Sequence, residues 1–203
     1  SEYVINEVDH VTYPNRLLRE AGLLNVSLQE DGEHLDLDSP AWALVDHQFS
    51  HIFIKNRCQE TIQKVQHMFD GQNGIEEILV GEERSKYGLN HERSGDVILV
   101  STSNSWQAYY WWLDDAKAPR FARTVDIHRK PGYDPVELHF DMETKSIPLD
   151  ASLIKGSHGA PVTDETQQGI IVSNSSSILE GRNWMDIELC EHLVNAVSSA
   201  HHS

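Results

Sequence analysis

Residues 41–56 read AWALVDHQFSHIFIKN, two apolar runs separated by Asp46, His47 and Gln48, with His51 opening the second run. Short apolar runs of four to eight residues bounded by polar ones read as strands. On that reading AWALVD and HIFIKN are two strands, and the polar residues sit between them. Two explanations compete for Asp46 and His47: a loop that merely turns the chain, or the end of a sheet where a metal is held. The neighbouring sequence decides what kind of sheet that is.

Upstream, NRLLREAGLL (15–24) carries Leu17, Leu18, Ala21 and Leu24 at helical spacing, and LNVSLQEDGEHLDLDS (24–39) alternates around Glu30-Asp31-Gly32 as a hairpin does. Downstream, CQETIQKVQHM (58–68) predicts a helix with Ile62, Val65 and Met68 to one side, ended by Asp70-Gly71. IEEILVG (75–81) and GDVILVST (95–102) predict strands, the second apolar enough to be covered on both faces. After SWQAYYWWLDD (105–115) and a basic, proline-containing loop ARTVDIHRKPGYDP (122–135), the stretch IPLDASLIKGSHGAP (147–161) leads to an expected strand GIIVSN (169–174). The helix WMDIELCEHLVNAV (184–197) closes the pattern, with Ile187, Cys190, Val194 and Val197 on one face. Strands interspersed with helices indicate an α/β architecture, a mixed sheet flanked by helices.

Composition narrows the function. The 203 residues suffice for one domain, or one domain with a small lobe, and 39% hydrophobic content is ordinary for a globular chain. No apolar stretch approaches the ~20 residues that cross a bilayer. A formal charge of −16, from 32 acidic against 16 basic residues, argues against a nucleic-acid polymer as partner, because phosphate backbones are held by clustered Lys and Arg. Cys58 and Cys190 lie far apart and form neither a disulfide framework nor a cysteine-rich zinc module, so both are expected as free thiols.

In α/β sheets functional groups collect beyond strand ends. Asp46 and His47 follow AWALV at such an end, and His158 lies in the loop Gly156-Ser157-His158-Gly159. The three are candidates to meet at one edge. Imidazole nitrogen and carboxylate oxygen are the donors that zinc and similar ions take. His51 stands as a structural residue or an outer partner of the site, because in a strand it points away from His47. Trp106, Tyr109, Tyr110, Trp111 and Trp112 either stack a base or sugar or belong to the core. His128, Arg129 and Lys130 form the one compact basic spot, able to pair with a phosphate.

The order VTYPNRLLREAGLL, AWALVDHQFSHIFIKN, GDVILVS, LIKGSHGAP and MDIELCEHLV resembles the C-terminal part of the alkaline phosphatase superfamily, most closely its nucleotide pyrophosphatase / type I phosphodiesterase branch. The resemblance runs over about residues 10 to 197. In that branch a strand delivers an Asp-His pair, usually followed by Gly, and a later Gly-x-His-Gly loop delivers another histidine. Here these are Asp46 and His47, followed by Gln48, and His158.

The resemblance implies a C-terminal part of an alkaline-phosphatase-like fold and a metal-dependent hydrolase of phosphodiester or pyrophosphate bonds. It implies two divalent ions, zinc by the family's habit, with Asp46 and His47 on one and His158 on the other. It also implies a gap. The family's Thr or Ser nucleophile, the Asp before it and a middle Asp-His pair lie upstream of the region matched here, and Val8-Asp9-His10 does not replace them. The expectation is therefore a single C-terminal segment, 1–203, whose partners are the N-terminal part of the same polypeptide and a small phosphorylated substrate, and which is inactive alone. The rival is a non-catalytic binding or assembly domain using the aromatic cluster as an exposed patch. A third possibility is a self-contained metal site built on His47 and His51.

Overall fold

Residues 3–124, 139–173 and 183–200 are described by the computed structural model. They belong to two units, Ile5–Pro161 and a smaller one made of Val162–Ser203 with Ser1–Val4.

The larger unit opens with β1 (Asn6–Glu7) and β2 (His10–Thr12), followed by α1 (Pro14–Glu20). Pro14 stands at the first helical positions, where its missing N–H is not needed. The short helix ends just before Gly22, as its sequence predicts: Gly22 turns left-handed at φ 72°, and Leu23 and Leu24 are buried beyond the helix end. β3 (Val26–Gln29) and β4 (Gly32–Leu35) pair antiparallel as the hairpin pattern requires.

The stretch that opened the reading forms β5 (Ala41–Asp46) and β6 (Phe49–Ile54), antiparallel and joined by two residues only. β6 thus starts two residues before the apolar run suggested. Then come α2 (Gln59–Phe69), β7 (Ile75–Val80) and β8 (Val97–Ser101), which complete a four-stranded sheet of order β5-β6-β8-β7 with every neighbouring pair antiparallel. Parallel pairing occurs outside this sheet, where β9 (Ser105–Gln107) lies along β2; β10 (Gly156–Ser157) runs antiparallel to β1. The unit is α/β with both kinds of ladder.

Strand alternation sets the burial. Ala41, Ala43, Val45, Ser50, Ile52 and Ile54 face the core, while Trp42, Leu44, Phe49, His51 and Phe53 line the other, half-buried face. Leu18 of α1 and Ile62, Val65 and Phe69 of α2 close the core, and β8 is buried along its whole length. Its Val97 and Leu99 enter the main core, and Ile98 and Val100 join a smaller cluster with Leu79. Asn15 is fully buried and mimics a strand: its amide nitrogen donates to the Ala43 and Tyr109 carbonyls and its Oδ1 accepts from the Ala43 N–H. That side chain satisfies the β5 edge, which would otherwise be buried unpaired.

In the smaller unit Asp164 caps a one-turn helix by accepting from the Thr166 N–H at 2.8 Å, and α3 (Asp186–Ala200) follows. Trp184 lies 4.0 Å from the His192 ring. One expectation changes here. Residues 169–173 of the expected strand are irregular, and residue 174 lies outside the described residues. The closing helix forms as expected, and Ile187, Cys190 and Val194 of its apolar face are exposed; helical spacing gathers apolar residues on one side without supplying a surface to cover them. Cys58, just before α2, is exposed too, and both thiols are unpaired. The basic spot at His128, Arg129 and Lys130 lies outside the described residues. No described helix is long and apolar enough to cross a membrane.

Candidate functional site

His47 and Gln48 alone close the β5–β6 hairpin, with Asp46 opposite Phe49 across the ladder. His47 adopts φ 54°, at the first position of a two-residue turn where glycine is the unstrained choice. A left-handed non-glycine residue costs on the order of 1 kcal/mol or more and persists where surrounding structure holds it. Here the Gln107 N–H donates to the His47 carbonyl at 2.7 Å. The ring itself is buried, and its Nδ1 lies 2.7 Å from Asp46 Oδ1. Asp46 is more exposed, and the hydrogen bond from His47 holds its carboxyl below the usual range against the opposing effect of burial. The carboxylate is therefore ionised and only accepts, which places a proton on His47 Nδ1.

His158 reaches the same place from the far end of the larger unit. Pairing of β10 with β1 anchors its loop, and the His158 carbonyl accepts from the Gln48 N–H at 3.0 Å. Gly159 follows at φ 105°, and a Cβ there would stand 3.4 Å from the Phe49 ring. The His47 and His158 rings meet at a centroid distance of 3.9 Å with a 34° angle between planes. Asp46, His47 and His158 are thus brought together at one sheet end.

His51 is not part of that group of contacts. Its Nδ1 accepts from the Gly95 N–H at 3.1 Å, and its ring packs against Phe49 and Phe53 on the half-buried face. Burial lowers its pKa, keeping the ring neutral and able to accept. Gly95 permits this approach, since a Cβ would fall 2.7 Å from the Ile52 nitrogen.

The donor types fit zinc in kind but fall short in number: among the described residues no group of three or more His, Cys, Asp or Glu is arranged to hold a metal. The sequence reading missed Gln48 and Gln107 as supports of the turn. Gln48 was visible only as a departure from the glycine of the Asp-His pattern.

The aromatic cluster is core and not a surface. Trp106, Tyr109, Tyr110, Trp111 and Trp112 are all at most 3% exposed. Trp111 Nε1 donates to the Glu33 carbonyl, Trp112 Nε1 donates to Asp115, and the rings of Tyr110 and Trp112 stack at 4.5 Å. Neither base stacking nor an exposed contact patch is open to rings whose faces and N–H groups are already engaged inside the protein.

No family model matches the chain, and no curated protein matches it. Structures of phosphonoacetate hydrolase from Sinorhizobium meliloti 1021, a member of the alkaline phosphatase superfamily, do match. Its complex with phosphonoformate is 18% identical, with a TM-score of 0.37, over 53% of this chain and 27% of that one. Its complex with phosphonoacetate is 17% identical, with a TM-score of 0.38, over 58% and 28%. This chain spans a little over a quarter of the length of those chains, and a likeness this slight carries no argument about activity.

Proposed function

We propose that this chain is the C-terminal, metal-ligand-bearing part of a metal-dependent phosphodiesterase or nucleotide pyrophosphatase of the alkaline phosphatase superfamily, inactive by itself. The observation that carries the reading is the meeting of the His47 and His158 rings at 3.9 Å beside the Asp46 carboxylate. Two motifs more than a hundred residues apart converge on one edge. A chain using them only as turn residues has no reason to hold a histidine at positive φ against a second imidazole.

In the intact enzyme Asp46 and His47 belong to one divalent-ion site and His158 to a second, zinc being the ion these donors suit. Such ions polarise a phosphoryl oxygen and stabilise the leaving oxygen. The chain's own residues do the orienting: the Asp46 carboxylate holds the His47 ring through Nδ1, and the two-residue turn fixes the backbone that carries it. The nucleophile and the other ligands come from the N-terminal part of the polypeptide, and the substrate is a small phosphorylated molecule.

Cobalt(II) titration of the chain, read by its visible spectrum, tests the metal assignment. Weak binding lost in both His47→Ala and His158→Ala is expected, with hydrolysis of bis(p-nitrophenyl) phosphate in zinc no faster than in buffer. Binding indifferent to both substitutions removes the reading. Zinc-dependent turnover abolished by His158→Ala would instead show that this chain needs no other part.

A further inference from the structure

Gln48 stands where the Asp-His pattern usually carries glycine, and it is fully buried. Its backbone N–H donates to the His158 carbonyl at 3.0 Å, and its carbonyl accepts from the Ser101 N–H at 2.8 Å. Its side-chain nitrogen donates to the Ser103 and Ser105 carbonyls at 3.1 and 2.9 Å. Its Oε1 accepts from the Ala160 N–H at 3.3 Å. One residue therefore ties together the β5–β6 turn, the β8–β9 connection and the His158 loop.

We infer that Gln48 is the positioning residue of this site: its side chain clamps the His158 loop onto the hairpin turn and so sets the His47–His158 separation before any ion arrives. The chemistry of an amide suits the task. Ser103 and Ser105 offer only carbonyls and Ala160 only an N–H, so the clamp needs two donors and an acceptor on one side chain, which glutamine has and glutamate, methionine or glycine lack. The backbone bond to His158 alone leaves the loop able to hinge at Gly159, which has no Cβ to restrict it and sits at φ 105° on the far side of the histidine. The Oε1 bond beyond that hinge, to Ala160, holds both sides of His158. A glycine after Asp-His leaves this link unmade, so this chain prearranges by a side chain what a metal would otherwise have to gather.

The inference concerns the same site as the proposed function, but it rests on the ring pairing and its test uses no metal. In the metal-free chain, proton NMR should show a nuclear Overhauser effect between the His47 and His158 rings, and the amides of Gln48, Ser101 and Ala160 should exchange at one common, slow rate. Gln48→Met, close in volume, is expected to stay folded, to lose the inter-ring effect, and to exchange the Ala160 amide about tenfold faster or more. Gln48→Glu should not rescue it, because the two donors are gone. An inter-ring effect and Ala160 protection that persist in Gln48→Met overturn the inference. Should that variant fail to fold, the unaltered protein still decides: an Ala160 amide exchanging far faster than those of Gln48 and Ser101 would show no clamp. Failure of the unaltered protein to bind cobalt, with its ring pairing present, would count against the metal reading alone.

Discussion

The aromatic run from Trp106 to Trp112 and the turn Asp46 to Gln48 are the two places where this sequence concentrates unusual side chains, and the protein treats them oppositely. The aromatic run is buried, and the indole N–H groups of Trp111 and Trp112 donate to Glu33 and Asp115 within the fold. The turn holds a histidine at positive φ, a half-exposed carboxylate and a facing imidazole that packing alone does not require. Richness in aromatic residues marks stability here, and strain with polar convergence marks the candidate site.

The sharpest way to break this contrast is Trp112→Ala. It should cost about 3–5 kcal/mol of unfolding free energy in urea titrations, as large-to-small changes at fully buried aromatic positions do. A cost under about 1 kcal/mol would mean that the aromatic run is not core.

Arg19→Met comes next. Arg19 donates to both Glu33 carboxylate oxygens and to the Trp111 carbonyl, so its loss leaves a buried carboxylate unpaired and should cost about 3 kcal/mol near neutral pH. The pair has a pH signature with a fixed sign. The hydrogen bond from Arg19 lowers the Glu33 pKa below its model-compound 4.5, so its stabilisation is complete above that pH and lost as pH falls through the lowered value. Stability curves of the parent and Arg19→Met should therefore converge as acidification carries the pH below 4.5 and through the lowered Glu33 value.

Asn15→Leu should cost about 2 kcal/mol, since it strands the buried N–H and carbonyl of Ala43. Chemical denaturation with near-ultraviolet circular dichroism would show whether the edge of β5 stays ordered.

The smallest effect carries the other half of the comparison. His47→Gly removes the left-handed strain and should change stability by no more than about 1 kcal/mol, in either direction, while abolishing cobalt binding. A loss as large as that of Trp112→Ala would make His47 a structural residue and erase the distinction between the two regions.

Much of this was legible locally. The strand 41–46, the hairpin at 26–35, the second helix and the strand at β8 follow from apolar periodicity, which the backbone imposes within a few residues. Asp46, His47 and His158 were legible as residue types in short glycine-flanked or strand-end motifs, and their meeting followed from sheet logic. What the sequence by itself determined, then, is the longer, strongly periodic elements and the residues eligible for the site; the short strands β1, β2, β9 and β10 and the irregular course of 169–173 were not written in it. Only the tertiary structure decided that the aromatic run is covered, that the stripe on α3 is exposed, that His51 is occupied by Gly95, and that Gln48 joins Ser103, Ser105 and Ala160. The physical reason is range: periodicity is written by neighbours, whereas burial and the pairing of polar groups are set by which distant segments the folded chain lays against each other.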